Sequence, residues 1–243
     1  VNSLIKKAIK APFNALGMEL LRRQPDPLPG IMRKCGIQTV LDVGAHVGEF
    51  AGEARKALPN AAIFSFEPIP ECFTELVANM GRDPKFKAFQ LACGQKSETT
   101  QFRRFDGTAR SSVLPMTGLM EASFPGSGLE TQIKVEVRPL DAWAAEIRMS
   151  DPIMLKIDVQ GFEAQVLRGA TRTLERCALV YLEVSVIELY EGQALLPEID
   201  AILTGAGFSM MGFSGMLPRS AATGLYVQAD AVYRRSPAVK AKP

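Results

Sequence analysis

Four acidic residues of this 243-residue chain stand in or just after short apolar runs: Asp42 in Thr39 to Val43, Glu67 after Ala62 to Phe66, Asp158 after Ile153 to Ile157, and Glu183 in Leu179 to Val184. If these runs are parallel strands, their carboxyl ends open on one crevice and the four carboxylates line it. Crowded carboxylates repel one another unless ligand hydrogen bonds or a cation compensate. The cluster therefore points to bound hydroxyls, to proton transfer, or to a divalent ion such as Mg²⁺. A glycine-bounded segment, Gly44-Ala45-His46-Val47-Gly48, follows the first run. Its glycines let backbone approach a ligand closely where a helix begins.

That segment is not a dinucleotide fingerprint, because His46 and Glu49 stand where G-x-G-x-x-G aligned on Gly44 requires glycine. Glu67, in contrast, follows Asp42 at close to the roughly 20-residue spacing at which an acid past the second strand grips ribose hydroxyls. A ribose-bearing ligand without a pyrophosphate satisfies both facts, and S-adenosylmethionine is such a ligand. A nicotinamide-dependent oxidoreductase is the competing reading, opposed by the missing glycines. A noncatalytic cofactor-binding partner protein is another.

The elements that must hold these residues read as an α/β domain. Apolar runs alternate with helical patterns, as in a parallel sheet with crossover helices. A helix pattern starts near Gly48, and Pro70 is placed to open the next, where its missing N–H costs nothing. Further strands are expected at Phe86 to Ala92, Ile133 to Val137 and Phe208 to Phe213, with Tyr226 to Tyr233 closing the sheet. Arg103 to Thr131 has no clear period and reads as a long lid-like insertion facing the substrate. The expected organisation is an N-terminal amphipathic helix and connector over 1–30, one domain over 31–236, and a tail over 237–243.

Composition narrows the partners. Hydrophobic residues make up 47% of the chain, enough for one sizeable core. With 28 basic and 26 acidic residues, no polyphosphate-binding surface and no nucleic acid are expected. Cys35, Cys72, Cys93 and Cys177 form no C-x-x-C pair, so reduced thiols in a cytoplasmic protein are expected. No apolar run approaches the roughly 20 residues that span a bilayer. Leu4, Ile5, Ile9, Phe13, Leu16 and Leu20 recur at helical spacing beside Lys6, Lys7, Lys10, Arg22 and Arg23. This basic amphipathic pattern suits peripheral contact with an anionic membrane, or packing as a lid or interface helix. Pro25 to Gly30 reads as a stiff connector.

The segments Val40-Leu41-Asp42-Val43-Gly44-Ala45-His46-Val47-Gly48, Phe66-Glu67-Pro68 and Leu155-Lys156-Ile157-Asp158-Val159-Gln160-Gly161-Phe162-Glu163, leading to Val166-Leu167-Arg168-Gly169-Ala170, resemble the FkbM-type methyltransferases. The resemblance runs from about Thr39 to Arg234. It implies a Rossmann-like class I fold of seven strands, the last antiparallel, and S-adenosylmethionine as cofactor. It further implies that Asp42, Gly44, Ala45 and Gly48 form the cofactor loop, together with His46. Glu67 with Pro68 would hold the ribose, Ala92 and Cys93 would lie near the adenine, and Asp158 near the methyl group. The family often has Asn at the place of His46 and Glu at the place of Gln160.

Methyl transfer to an alcohol needs in-line alignment and a base for the hydroxyl proton. Asp158 is the leading base or acceptor anchor, with capping of a helix near Gly161 as its structural alternative. Glu163 and Glu183 are the other candidate acids, and Glu163 also suits the first turn of that helix. Lys156 shares a strand face with Asp158 and calls for an acidic partner. His46 is a base if its ring turns into the crevice, and otherwise a support for the turn. Arg103, Arg104, Arg110, Ser111 and Ser112 offer donors to a phosphate or sugar. Trp143 reads as packing. The acceptor expected from the resemblance is a hydroxyl of a small molecule, a sugar, glycolipid precursor or natural product. Oligomeric state is not legible.

Overall fold

The structure, a computed structural model, describes residues 11–12, 15, 26–106, 108–126, 130–214 and 219–236. Most of the N-terminal amphipathic pattern lies outside these residues, as does the tail from 237. The expected connector turns helical at Leu28: α1 (Leu28–Lys34) has Pro29 in its first turn, where no N–H is needed. Asp26 holds its start, its Oδ1 accepting from Leu28 N at 2.9 Å and from Ser214 Oγ at 2.8 Å.

The main sheet contains β1 (Thr39–Val43), β2 (Ala62–Phe66), β3 (Phe86–Phe89), β7 (Ile153–Ile157), β8 (Cys177–Ser185), β9 (Phe208–Ser214) and β10 (Gln228–Arg235), in the order β3-β2-β1-β7-β8-β10-β9. All neighbours are parallel except β10, which runs antiparallel to both β8 and β9. β1 and β7 are buried at every residue, which is why they read as continuous apolar runs rather than alternating ones. Val40, Ile63, Met154 and Leu179 form a core on one face, and Leu41, Phe66, Leu155 and Val180 form a core on the other. Between these strands lie α2 (Glu49–Ala57), α3 (Pro70–Met80), α5 (Leu140–Ala144), α6 (Glu163–Arg168), α7 (Thr171–Arg176) and α8 (Leu196–Gly205). Trp143 packs its edge against Phe64, Phe66 and Phe89, as expected. Strand order reverses between β1 and β7, so the crevice of an open α/β sheet falls there.

Two expected strands go elsewhere. The run Phe86 to Ala92 breaks after Phe89, and Ala92–Cys93 becomes β4 of a second, three-stranded sheet with order β4-β6-β5. Its centre is β6 (Glu130–Arg138), expected in the main sheet, paired with β5 (Glu98–Phe105). β5 escaped notice because its sequence is polar and only Phe102 and Phe105 are buried. The insertion therefore shrinks to residues 106–129, a hairpin excursion holding a short 3₁₀ turn (Thr108–Arg110) and α4 (Gly118–Ser123). Met120 of α4 anchors it against Leu189, Tyr190 and Val227.

Candidate active site

The loop after β1 bends back over the neighbouring strands. Gly44 has φ 75°, and a Cβ there would lie 1.8 Å from the carbonyl oxygen of Asp158, so only glycine allows β1 and β7 to meet at the crevice floor. Gly44 and Ala45 donate their N–H groups to Phe66 O, both at 3.0 Å. His46 N donates to Glu67 Oε2 at 2.8 Å, while Ile69 N donates to Glu67 Oε1 at 2.9 Å. Each oxygen of Glu67 thus anchors one loop and keeps lone-pair capacity for a ligand. Burial lifts this carboxyl to about 7 despite the two N–H donors. Gly48 caps α2 and packs beneath Leu76 of α3, away from the crevice.

A polar row crosses the otherwise apolar sheet. Ser65 of β2, Asp42 of β1 and Lys156 of β7 are register partners. Ser65 Oγ donates to Asp42 Oδ2 at 3.0 Å, and Lys156 Nζ lies 3.3 Å from Asp42 Oδ1. Asp42 is fully buried and its Oδ1 has no aligned hydrogen bond, so the nearby ammonium is what stabilises its charge. Lys156 also donates to Gly44 O at 2.6 Å and lies 3.8 Å from Asp158 Oδ2. Burial pulls the lysine pKa down, but Asp42 and Asp158 outweigh it and hold the value above that of an ordinary lysine. The expected pairing of Lys156 with the acids is observed. Asp42, placed by the resemblance in the cofactor loop, lies behind it and does not line the crevice.

Past β7 the chain makes the other wall. The Asp158 side chain is 42% exposed, whereas Asp42, Glu67 and Glu163 are buried. It does not cap a helix: α6 starts at Glu163 with no side-chain cap. Glu163 turns inward, its Oε1 accepting N–H from Val159 and Gly161, each at 3.1 Å. It supports the loop and does not line the crevice. Burial, with the charge of Asp158 added, lifts its carboxyl to about 7. Glu183 accepts from the side-chain amides of Gln160 and Gln228, both at 2.9 Å. Burial pushes Glu183 well above the carboxylate range, reinforced by Asp158, Glu163 and Asp230.

The insertion closes one side. Thr108 Oγ1 lies 2.7 Å from His46 Nε2, so the imidazole is tied to the insertion. Ser111 lines the crevice, and Ser112 Oγ donates to Gln160 O at 2.6 Å. The arginines expected to offer donors are used within the fold: Arg103 pairs with Glu130, Arg104 with Glu71, and Arg110 donates to Phe124 O.

Together these walls enclose a cavity of about 330 Å³, within the range of small-molecule sites. Gly44, Ala45, His46, Glu67, Pro68, Ala92, Cys93, Lys156, Asp158 and Glu183 all line it. Phe50, Tyr181 and Asp230 line it too and were not singled out from sequence. Phe50 and Tyr181 stack with centroids 5.8 Å apart, and burial with the charge of Asp230 pushes the Tyr181 hydroxyl up. Phe50 sits at an ordinary core spacing on α2, and Asp230 sat in an alternating strand, so neither carried a signal. Among the described residues no group of three or more His, Cys, Asp or Glu side chains is arranged to hold a metal.

The strand order, the antiparallel β10, and a glycine loop answered by an acid past β2 define a class I methyltransferase. A family model for the methyltransferase FkbM domain matches residues 42–210. The chain is 28% identical over 185 residues to the 2-O-methyltransferase NoeI of Sinorhizobium fredii, covering 74% of this chain and 72% of that protein. It is 30% identical over 195 residues to the 31-O-demethyl-FK506 methyltransferase FkbM of Streptomyces tacrolimicus, covering 71% and 73% respectively. Against the hexuronic acid methyltransferase AglP of Haloferax volcanii it is 27% identical over 165 residues, covering 68% and 63%. The chain belongs to the FkbM methyltransferase family and is an S-adenosylmethionine-dependent methyltransferase.

Proposed function

We propose that this protein is an O-methyltransferase whose acceptor is a hydroxyl of a small, sugar-bearing molecule. The observation that carries the reading is the open Asp158 carboxylate, which lines the crevice together with the Gly44 loop and the stacked Phe50 and Tyr181. NoeI and AglP, by their names a 2-O-methyltransferase and a hexuronic acid methyltransferase, support the acceptor class.

The residues present fit the cofactor. Gly44 and Ala45 present backbone along the crevice, and Glu67 has acceptor capacity for a ribose diol. Pro68, Ala92 and Cys93 provide an apolar wall for an adenine. When bound, S-adenosylmethionine would supply an electrophilic methyl on its sulfonium, with S-adenosylhomocysteine as the leaving group. Asp158 takes the hydroxyl proton, held in place by Lys156 and by Gln160 Nε2 at 2.7 Å. Phe50 and Tyr181 give the acceptor an apolar face, and Asp230 and Glu183 accept its other hydroxyls. The short approach that the reaction needs comes from this fixed frame, and positioning is most of the catalysis.

The test is an acceptor panel of neutral and acidic glycosides and hydroxylated natural products, incubated with S-adenosylmethionine and read by mass spectrometry. The expected product gains one methyl on oxygen, and Asp158→Asn loses at least a hundredfold in kcat. Methylation at nitrogen or carbon, or wild-type turnover by Asp158→Asn, would overturn the reading.

A further inference from the structure

Gln160 lies in the loop between β7 and α6 at φ 55°, a backbone conformation uncommon for a residue with a side chain. Its Nε2 donates to Asp158 Oδ1 at 2.7 Å and to Glu183 Oε2 at 2.9 Å. Its Oε1 accepts the Tyr190 hydroxyl at 2.8 Å. Every polar atom of the amide thus has a partner, and the partners admit one orientation. Turned over, the amide would set Oε1 against Asp158 Oδ1, an oxygen that only accepts, so the acid end fixes its orientation, whereas the Tyr190 hydroxyl could meet either end of the amide. Tyr190 is fully buried, and its hydroxyl also lies 3.1 Å from Arg110 O of the insertion. The backbone of Gln160 is fixed from the same side by Ser112.

Two acids drawn onto one small group normally need a cation between them or a proton on one of them. Here one amide gives a hydrogen to each, at hydrogen-bond distance, without adding charge. We propose that Gln160 is the positioning residue of this site: its amide, held in place by Tyr190, bridges Asp158 and Glu183 where a third carboxylate would need a divalent cation. The bridge fixes the rotamer of Asp158, and with it the direction of the oxygen that faces the acceptor. The insertion, through Arg110 and Ser112, holds both ends of the bridge. The kinetic consequence rests on the methyl-transfer reading above, whereas the bridge itself does not.

The experiment is a calorimetric titration of MnCl₂ alone into wild type and Gln160→Glu, with thermal melts confirming that both are folded. Gln160→Glu should bind Mn²⁺ at least tenfold more tightly than wild type, and the gain should vanish when Asp158→Asn is added. Alongside it, Tyr190→Phe should lower kcat about tenfold with KM for S-adenosylmethionine unchanged, because the Glu67 end of the crevice is untouched. The side-chain amide resonances of Gln160, slow to exchange with solvent in wild type, should exchange rapidly in Tyr190→Phe. A folded Gln160→Glu with no gain in Mn²⁺ affinity, or unchanged amide exchange in Tyr190→Phe, overturns the proposal. If Gln160→Glu does not fold, the amide exchange decides alone. If wild type methylates no hydroxyl, the acceptor reading falls while the titration and the exchange still decide the bridge.

Discussion

The substitution Glu163→Gln should leave the loop after β7 intact and yet change how the protein's stability responds to pH. One oxygen, Oε1, accepts both Val159 N–H and Gly161 N–H, and a glutamine keeps that oxygen. What the substitution removes is ionisation. Burial, with the Asp158 charge added, lifts the folded-state value from 4.5 to about 7. A raised folded-state pKa means that folding favours the protonated acid. Its contribution is fully present below pH 4.5 and is lost as pH rises through about 7. At roughly 1.4 kcal/mol per pH unit, the whole window is worth about 3 kcal/mol, and the part between pH 5 and pH 8 about 2 to 3 kcal/mol. The neutral amide carries no such loss, so the variant should gain that much on wild type across the interval. Urea unfolding of both cofactor-free proteins at pH 5, 6, 7 and 8 measures the difference directly, with the other titrating groups common to both. Methyl transfer should stay within about threefold of wild type, as expected of a supporting residue. A stability difference that is flat with pH, or that favours wild type more at pH 8 than at pH 5, would refute the reasoning.

The contrasting case is Glu67, which uses both oxygens: in Glu67→Gln an NH₂ must face either His46 N or Ile69 N. Loss of a charge-assisted acceptor is worth about 1.5 to 3 kcal/mol, so calorimetry should show S-adenosylmethionine affinity falling by about ten- to a hundredfold, and unchanged affinity would contradict the ribose role. Lys156→Met leaves Asp42 buried without its counter-charge, a loss of about 3 to 5 kcal/mol. The melting temperature should fall by roughly 6 to 20 °C and recover in large part when Asp42→Asn is added; a shift of under about 2 °C would show that the pair is dispensable.

Much of the frame could be read from residue order because its central strands are buried on both faces. β1, β2 and β7 match the expected runs, and the acids at their ends fall beside one crevice because parallel strands share a direction. Gly169 was part of a recognised motif, and the structure gives its reason: a Cβ there would lie 1.9 Å from the carbonyl oxygen of Gly94. What stayed hidden depends on side chains brought from far apart. β5 hid in a polar stretch, and the second sheet hid with it. Asp42 and Glu163 looked like lining residues because residue order does not reveal which way a carboxylate turns; both turn inward to hold other parts of the site. Gln160 registered only as a departure from the family pattern, since its amide acquires meaning from Tyr190, thirty positions later.

The insertion springs from the tip of the β5–β6 hairpin, not from a connection within the seven-stranded sheet. Length added or removed between residues 106 and 129 changes no strand register in the scaffold that carries Glu67, Lys156 and Asp158. Evolution can therefore rewrite that wall of the crevice while the sheet that carries the acids is inherited unaltered. The same hairpin is where an engineer seeking new acceptors should splice, provided Ser112 and the Arg110 carbonyl keep their hold on Gln160 and Tyr190.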